Sequence, residues 1–381
     1  MSANVDPETG VWTLNEQDVE YVALGAAILG TGGGGNAYLG KLRAWQQLRA
    51  GRRIRVISPA SLKDDDVVIV VGGIGAPTVG NEKMEAGDEG YRAVRAVEQA
   101  IGRKATALGT DEIGGSNAIE PMIAAALADL PMVDADGMGR AFPELQMNTF
   151  FIYGVKPAPG ALCDEKGNVI VFNEVASATW LEKLARAGTV AMGCTAAFAL
   201  PPITGKQIKD YGVKHTVSQA WRLGKAVFTA RAEKRDPVSE ILTHEHGTLL
   251  FRGKVVDLKR WTTGGFARGL VEVEGFGDFG AQTLKIEFQN ENLIARNGDA
   301  VVATVPDLIC IVDSETGRPI STEETRYGLR IAVLGLPATP LFRTPEALAV
   351  VGPRAFGYDV DYQPLGEYVD PEPVVAKSGR G

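Results

Sequence analysis

Short apolar segments alternate with amphipathic helical segments between residues 54 and 133, and this alternation decides the fold class. Strands are predicted at residues 54–57, 67–71, 105–108 and 131–133, with helices at 87–101 and 119–130. Strands that are apolar throughout and separated by helices pair in parallel, and the helices cover both faces of the sheet. The sequence therefore predicts an α/β fold with a Rossmann-like parallel sheet.

The character of the chain changes beyond residue 244, where strand-like segments follow one another with Gly, Asn and Asp turns between them. This pattern predicts a second, mostly β domain. The predicted boundaries are an α/β domain over residues 1–170 that helices in 171–243 complete, a β domain over 244–345, a segment packing back over 346–369 and a disordered tail over 370–381.

Composition limits the classes of function. The 381 residues carry a net charge of −8, which argues against a nucleic-acid surface and for a soluble protein. The three cysteines form no CxxC pair, and neither a signal peptide nor an apolar run long enough to cross a membrane is predicted. We therefore expect a cytoplasmic homo-oligomer that acts on a small molecule, without nucleic-acid or membrane partners.

A run of four consecutive glycines separates two predicted helices, at residues 13–30 and 37–50. These glycines are Gly32, Gly33, Gly34 and Gly35. A turn or hinge requires only one or two glycines, and each glycine costs conformational entropy on folding. The run is therefore interpreted as a backbone cradle that, together with Asn36, receives an anion, a carbonyl or a developing negative charge. A flexible hinge is the alternative interpretation.

The glycine run is not a nucleotide-binding motif. A dinucleotide fingerprint follows a strand and is followed by an acidic residue about twenty positions later, whereas here a helix precedes the glycines. A Walker-type phosphate loop ends in Gly-Lys-Ser or Gly-Lys-Thr, whereas the first lysine here is Lys41. Nucleotide binding is therefore not supported.

Three predicted strands end in loops rich in glycine and polar residues, and ligands of open α/β sheets bind at the carboxyl ends of strands. The first loop carries Gly73 and Gly75, and the second carries Glu112 and Asn117. The glycines are expected to line a substrate site. Asn117 is expected either to bind a substrate amide or to cap a helix, and Glu112 is a candidate catalytic acid with helix capping as its alternative.

The third loop, after the strand at residues 131–133, concentrates charge. It carries Asp134, Asp136, Arg140 and Glu144. Such carboxylates suit general acid–base catalysis, and Asp134, Asp136 and Glu144 are also candidate ligands of a divalent cation, although no cofactor is firmly predicted. Arg140 is expected to clamp a substrate carbonyl or carboxylate, or to pair with these carboxylates structurally.

Two further groups are interpreted as structural. His244 and His246 would share one face of a strand, as zinc ligands can, but no third ligand is evident and an exposed loop is favoured. Cys194 lies among small apolar residues, which favours a buried and unreactive thiol.

Several motifs together resemble the S-methyl-thiohydantoin desulfurase family. They lie at residues 25–35, 72–77, 134–144, 289–292, 306–309 and 352–358. The resemblance extends over nearly the whole chain, and the glycine run combined with the Asp–Arg–Glu stretch at 134–144 is specific. It implies a Rossmann-like N-terminal domain, a C-terminal domain similar to a swivelling β/β/α unit, and a functional link to hydantoinases, but it identifies no catalytic residue.

The resemblance implies hydrolysis of a small cyclic ureide, above all of S-methyl-thiohydantoin to hydantoin and methanethiol. In the corresponding hypothesis, Asp134 or Asp136 takes a proton from water, and backbone N–H groups of the glycine loops stabilise the developing charge. Glu144 or Glu112 protonates the leaving sulfur or binds a cation. Hydrolysis of a cyclic amide, with or without a metal, and a non-catalytic partner of a hydantoinase are the alternatives.

Overall fold

The computed structural model describes residues 3–375, and within that range a mixed sheet of ten strands forms the first half of the molecule. Its strands are β1 (Trp12–Leu14), β2 (Ile54–Ile57), β3 (Val67–Gly75), β4 (Ala107–Thr110), β5 (Met132–Asp136), β6 (Gly160–Cys163), β7 (Val169–Phe172), β8 (Thr195–Ala199), β9 (Ile203–Thr204) and β10 (Val213–Lys214). The central strands β2, β5, β4 and β3 are parallel and adjacent in that order. Antiparallel strands extend the sheet beyond both β2 and β3.

Helices surround this first sheet. They are α1 (Glu16–Leu29), α2 (Ala37–Arg49), α3 (Pro77–Gly80), α4 (Glu89–Ile101), α5 (Glu120–Ala128), α6 (Thr149–Ile152), α7 (Ala178–Ala191), α8 (Gly205–Tyr211), α9 (Thr216–Ala232) and α10 (Pro237–His244). Helices α1 and α9 cross so closely that a Cβ on Gly25 would lie 1.9 Å from the carbonyl oxygen of Ala220. Within the described chain, none of the helices is long and apolar enough to span a membrane.

The second half is an antiparallel sheet with its own hydrophobic core. Its strands are β11 (Thr248–Thr263), β12 (Phe266–Gly275), β13 (Thr283–Gln289), β14 (Glu291–Asn297), β15 (Ala300–Thr304), β16 (Leu308–Asp313) and β17 (Arg330–Leu336), and α11 (Pro345–Val351) follows them. The strand order is β15-β14-β13-β12-β11-β17-β16. Together the two sheets confirm the predicted α/β fold with a parallel sheet and a second, mostly β part.

Among the differences from the prediction, three concern elements next to the glycine run or the cleft. Strand β3 continues beyond Val71 to Gly75 because its last residues pair with β8, so the predicted loop at residues 72–77 is largely strand. Helix α1 begins after Asn15, whose side chain forms a capping box with Asp18, because the residues before Asn15 form β1. Strand β14 is missing from the prediction, since it begins with polar residues.

The segment predicted as a disordered tail lies partly within the described chain. Residues 370–375 run along α9, where the Arg222 guanidinium donates to the carbonyl oxygens of Glu372 at 3.0 Å and Pro373 at 3.3 Å. Val375 is buried in the core of the first half. Residues 376–381 lie outside the described residues.

Arg140, in the loop after β5, connects the two halves of the molecule. Its acceptors are the carbonyl oxygens of Ala141 (2.9 Å), Pro306 (3.1 Å), Asp307 (2.7 Å) and Asn292 (3.3 Å) and the hydroxyl of Thr31 (2.8 Å). The side chain is 1% exposed, and its guanidinium carbon lies 4.4 Å from the centre of the Phe142 ring. A single buried cation thus fixes the loop after β5 to the second sheet and to the glycine run.

Replacing Arg140 by methionine is expected to destabilise the junction between the halves. Each carbonyl left without a donor costs about 1–3 kcal/mol when buried, so the free energy of unfolding should fall by about 3 kcal/mol or more. Urea unfolding measures this loss. Arg354→Met is the matched control, because Arg354 pairs with Asp359 and Asp361 on the surface and its loss should leave the midpoint nearly unchanged. Equal midpoints for the two variants would contradict the role of Arg140.

Candidate active site

A cleft of about 490 Å³ lies where the two halves meet, within the range of about 300–1,000 Å³ that is typical of small-molecule sites. Its wall is formed by α2 and the glycine run before it, by the end of β3 and the segment that follows, by the loops after β4 and β5, and by the β13–β14 turn. The predicted site residues on this wall are Gly34, Gly35, Asn36, Gly73, Gly75, Glu112, Asn117 and Glu144. The structure therefore brings the glycine run and the loops of three strands to one cleft.

The glycine run is shaped by what packs against it. A Cβ on Gly33 would lie 1.9 Å from Oε1 of Glu291, which belongs to β14. A Cβ on Gly34, where φ is +77°, would lie 2.4 Å from the carbonyl oxygen of Gly114. Close packing against both halves therefore accounts for these two glycines. Gly32 and Gly33 lie on the wall of a second cavity rather than on the cleft.

Glu112 is held on the cleft wall by neighbouring donors. Its Oε1 accepts a hydrogen bond from Asn117 Nδ2 at 2.6 Å, and its Oε2 accepts one from the Phe142 N–H at 3.0 Å. Asn117 Oδ1 in turn accepts the Gly73 N–H at 2.6 Å. These contacts make Asn117 a residue that positions Glu112 against the end of β3.

Glu291 is an acidic residue of the cleft that the sequence analysis does not single out. It is 3% exposed, and its Oε2 atom has no hydrogen-bond partner among the described residues. It belongs to the polar segment 289–292, which is buried throughout although it separates two apolar strand segments. That interruption, and the place of 289–292 among the motifs of the family resemblance, are the signals in the sequence that could have indicated a site here.

Glu112 and Glu291 interact electrostatically, and each comes from a different half of the molecule. Burial raises the pKa of Glu291 to about 8, although the Arg140 guanidinium favours its ionised form. Burial, and then repulsion from the Glu291 carboxylate, raise the pKa of Glu112 well above its ordinary value. Near neutral pH the pair therefore holds at least one proton, and a single ionisation leaves one carboxylate and one carboxylic acid on the wall of the same cleft.

Two more buried carboxyl groups, Asp111 and Asp136, lie at the ends of neighbouring strands β4 and β5. Burial raises the pKa of Asp111, a cleft residue, to about 7, although Asn148 Nδ2 donates a hydrogen bond to it at 2.7 Å. Burial likewise raises the pKa of Asp136 to about 7. The Asp136 carboxylate accepts hydrogen bonds from the backbone N–H groups of Ile113, Met138 and Gly139.

Asp134, Asp136 and Arg140 are not among the residues that line the cleft. Strand β5 extends to Asp136, so both aspartates lie within the sheet and are fully buried. Asp134 accepts from the Ser218 N–H at 3.0 Å and the Ser218 hydroxyl at 2.6 Å, which fixes the start of α9. The hydrogen bonds that all three residues make hold loops and helices in place, and none of the three side chains reaches the cleft wall.

The described residues offer no cluster of three or more His, Cys, Asp or Glu side chains suited to a metal ion. The predicted cation ligands Asp134, Asp136 and Glu144 accordingly do not form such a cluster. His244 ends helix α10 instead of lying on a strand. Cys194 is half-buried, whereas a buried thiol is predicted, and it does not line the cleft.

The segment between β3 and α4 lines one side of the cleft and is fixed at several points. Arg43 of α2 forms ion pairs with Glu85 of this segment and with Glu120 of α5. Lys83 donates to the carbonyl oxygens of Met192 and Thr195, both at 2.8 Å. These contacts hold the segment between β3 and α4 against both α2 and β8.

The comparisons with known proteins agree with this architecture. The family models described as S-Me-THD-like, N-terminal domain and S-Me-THD-like, C-terminal domain match residues 17–174 and 176–365. The chain belongs to the S-Me-THD-like family. This confirms the resemblance to S-methyl-thiohydantoin desulfurases that the sequence motifs indicate.

A solved structure shares the fold of this chain over nearly its full length. It is an X-ray crystal structure of a protein from Chromobacterium violaceum, a structural genomics target, with 24% sequence identity and a TM-score of 0.77. The alignment covers 93% of this chain and 100% of that chain. A search of curated proteins found no match.

Stability is expected to fall as pH rises from about 5.5 to about 8.5. In the folded chain, burial raises the pKa of Asp111 and Asp136 to about 7 and that of Glu291 to about 8, whereas unfolded carboxyl groups titrate near pH ~4. Between these values the folded chain binds more protons than the unfolded chain, so the free energy of unfolding decreases with rising pH. Thermal unfolding should give a melting temperature several degrees lower at the alkaline end.

The Asp111→Asn variant isolates one of these groups, because asparagine keeps an oxygen for Asn148 and cannot ionise. We expect a higher melting temperature than the parent at about pH 8.5 and a flatter pH dependence. Glu174→Gln, at an exposed site, should follow the parent curve. An Asp111→Asn curve as steep as the parent's would show that burial of this carboxyl group does not cause the effect.

Proposed function

We propose that the chain is a hydrolase of small cyclic ureides and converts S-methyl-thiohydantoin to hydantoin and methanethiol. The observation that carries the proposal is the buried Glu112–Glu291 pair on the wall of a cleft of small-molecule size. Membership of the S-Me-THD-like family supports the choice of substrate. The reaction requires both a base for water and an acid for the leaving sulfur, and such a pair can supply both.

Glu291 is assigned as the general base. It is the member of the pair whose ionised form the Arg140 cation favours. Its carboxylate takes a proton from water while the water oxygen bonds to the ring carbon that carries sulfur. The electron pair of the C=N bond moves to the ring nitrogen, which then takes the proton from Glu291. The result is a neutral tetrahedral intermediate with hydroxyl and methylthio groups on one carbon.

Glu112 is assigned as the general acid. In its protonated form it donates to sulfur as the C–S bond breaks, while the hydroxyl proton of the intermediate passes to Glu291 and the ring carbonyl forms. One water is consumed, methanethiol and hydantoin are released, and the pair again holds one proton. Asn117 and the Phe142 N–H hold Glu112 in place for this step.

The cleft wall suits a flat polar ring. Gly34, Gly35, Gly73 and Gly75 present backbone without side chains, so that a planar ligand can lie directly against the main chain. Apolar side chains on the same wall offer contact for the methylthio group. They include Ile74, Met138, Phe142 and Phe198.

Glu291→Gln and Glu112→Gln are each expected to lower the rate of methanethiol release by about 10²–10⁴-fold, because each removes one proton-transfer group and keeps the side-chain shape. A thiol-reactive dye measures the rate. Asp134→Asn is the control, because the Asp134 carboxylate of the parent fixes α9 outside the cleft. This variant should be less stable than the parent and keep the parent's turnover number. Full activity in both glutamine variants would refute the assignment.

The products distinguish the alternatives. Formation of a carbamoyl acid from hydantoin without thiol release would favour a cyclic-amide hydrolase, and the absence of any turnover by the folded protein would favour an accessory partner of a hydantoinase. Either result would contradict the proposed desulfurase activity.

The pH dependence of kcat/KM should be bell-shaped with an alkaline optimum. Activity requires an ionised Glu291, whose pKa burial raises to about 8, and a protonated Glu112, whose pKa lies well above its ordinary value. The rate should therefore rise as Glu291 ionises around pH 8 and fall again at higher pH, when Glu112 ionises. An acidic limb near pH ~4, the ordinary range of a carboxyl group, would contradict the role of a buried pair.

A further inference from the structure

Within the described chain the two sheets end in four edge strands, and three of these edges are protected against pairing with another strand. Val5 bridges Trp12 of β1, and Pro319 bridges Val312 of β16. Strand β15 pairs with β14 through a bulge and begins beside the exposed Asp299. Covering segments, bulges, prolines and charges are the devices by which edge strands avoid association with other chains.

Strand β7 is the fourth edge, and it lacks these devices. Among the described strands it pairs with β6 alone, in an unbroken register, and residues 168–173 contain neither a charged residue nor a proline. The Val169 and Val171 side chains are 44% and 37% exposed. An apolar, uncharged strand with a free edge is a template for a further strand.

The pairing of β7 with β6 defines which main-chain groups of β7 point outward. The Asp164 N–H donates to the Asn168 carbonyl oxygen at 3.1 Å, so these two residues face each other as in a hydrogen-bonded pair. Hydrogen-bonded and non-hydrogen-bonded pairs alternate along an antiparallel ladder. Ile170 therefore also points its N–H and C=O groups toward β6, whereas Val169 and Val171 point theirs outward.

Helix α7 continues this apolar surface on one side of the sheet. It lies over β7, because a Cβ on Gly188 would be 3.1 Å from Cδ1 of Ile170. Leu184, one turn before Gly188, and Trp180, one turn before Leu184, are both exposed. Lys183 is the only charged residue among those of α7 that are exposed. An uncharged strand edge and an apolar helix face therefore adjoin each other.

We propose that this surface is the interface of a homodimer, in which β7 pairs antiparallel with β7 of a second copy about a two-fold axis at Ile170. The free N–H and C=O groups of an edge strand are best satisfied by another strand, and a two-fold axis brings the same strand of a second copy. The outward main-chain groups of Val169 in each copy then meet those of Val171 in the other. These two residues also form an apolar cross-strand pair, twice in the dimer.

The charges at the two ends of β7 complement each other in this arrangement. Antiparallel pairing about Ile170 brings the exposed Lys166 of one copy beside the exposed Glu174 of the other. Glu165, which adjoins Lys166, is paired mainly with Lys83, at 2.6 Å against 3.7 Å to Lys166. Lys166 therefore remains available to a carboxylate of the second copy.

The neighbouring symmetric registers fit less well. An axis between two residues would place outward main-chain groups opposite residues whose groups point toward β6. An axis at Val169 would place Glu174 opposite Asp164, another carboxylate. An axis at Val171 would move Glu174 out of the reach of Lys166. The axis at Ile170 is thus the one that satisfies both the main chain and the charges.

The first test places a charge on the edge. Val171→Lys should dissociate the dimer, because the two-fold axis introduces the lysine twice into the paired strands. Sedimentation velocity should show the parent as a dimer at micromolar concentration and a dissociation constant about 100-fold higher in the variant. Val301→Lys is the matched control, since Val301 is an exposed valine on the edge strand β15. A monomeric parent, or equal dissociation of the two variants, would overturn the inference.

The second test examines the register with cysteines, in a Cys194→Ser background because the other two cysteines are buried. At the axis Ile170 faces its own copy as a non-hydrogen-bonded pair, whose Cα atoms lie about 4.5 Å apart, within the range of a disulfide. Ile170→Cys should therefore cross-link on mild oxidation, whereas Asn173→Cys, which would face Gly167, should not. A non-reducing gel measures the dimer. Cross-linking of both variants, or of neither, would overturn the inference, and melting temperatures equal to the parent's establish that both are folded.

Discussion

The burial of the Arg140 guanidinium at the junction of the two halves is the interaction on which the rest of the molecule depends. A cation without water is costly unless its donors are satisfied, and here main-chain carbonyl groups from both halves and one hydroxyl satisfy them. The same charge favours ionisation of Glu291. One side chain therefore couples the relative position of the halves to the protonation of the carboxyl pair.

The carboxyl pair is divided between the halves, and the glycine run leaves the space that the Glu291 side chain occupies. Glu112 follows β4 of the first sheet, whereas Glu291 begins β14 of the second. Any side chain at Gly33 would push the Glu291 carboxyl group away. The unusual density of glycine thus reflects a requirement for contact between chain segments, and the free energy that four glycines cost on folding is offset by the packing they allow.

The sequence predicted the fold class and several of the loops that meet at the cleft, because apolar strands, helix caps and glycine-rich strand ends are local patterns. It could not show which of the acidic residues lie in the cleft. Asp134 and Asp136 look like catalytic residues after a strand, but β5 includes them, and their partners lie at residues 113, 138–139 and 218. Glu291 is distant in sequence from every residue of the first half, and only the assembled fold places it in the same cleft as Glu112.

The pairing of β3 with β8 has a consequence for how this chain can be divided. The family boundary falls near residue 175, yet β8 lies beyond that boundary and completes the sheet to which β3 belongs. A fragment ending at the boundary would expose the edge of β3 from Val71 to Gly75, and an open, apolar strand edge recruits other chains into aggregates. The stretch that the N-terminal family model matches and the stretch needed to complete the first sheet are therefore different parts of this polypeptide.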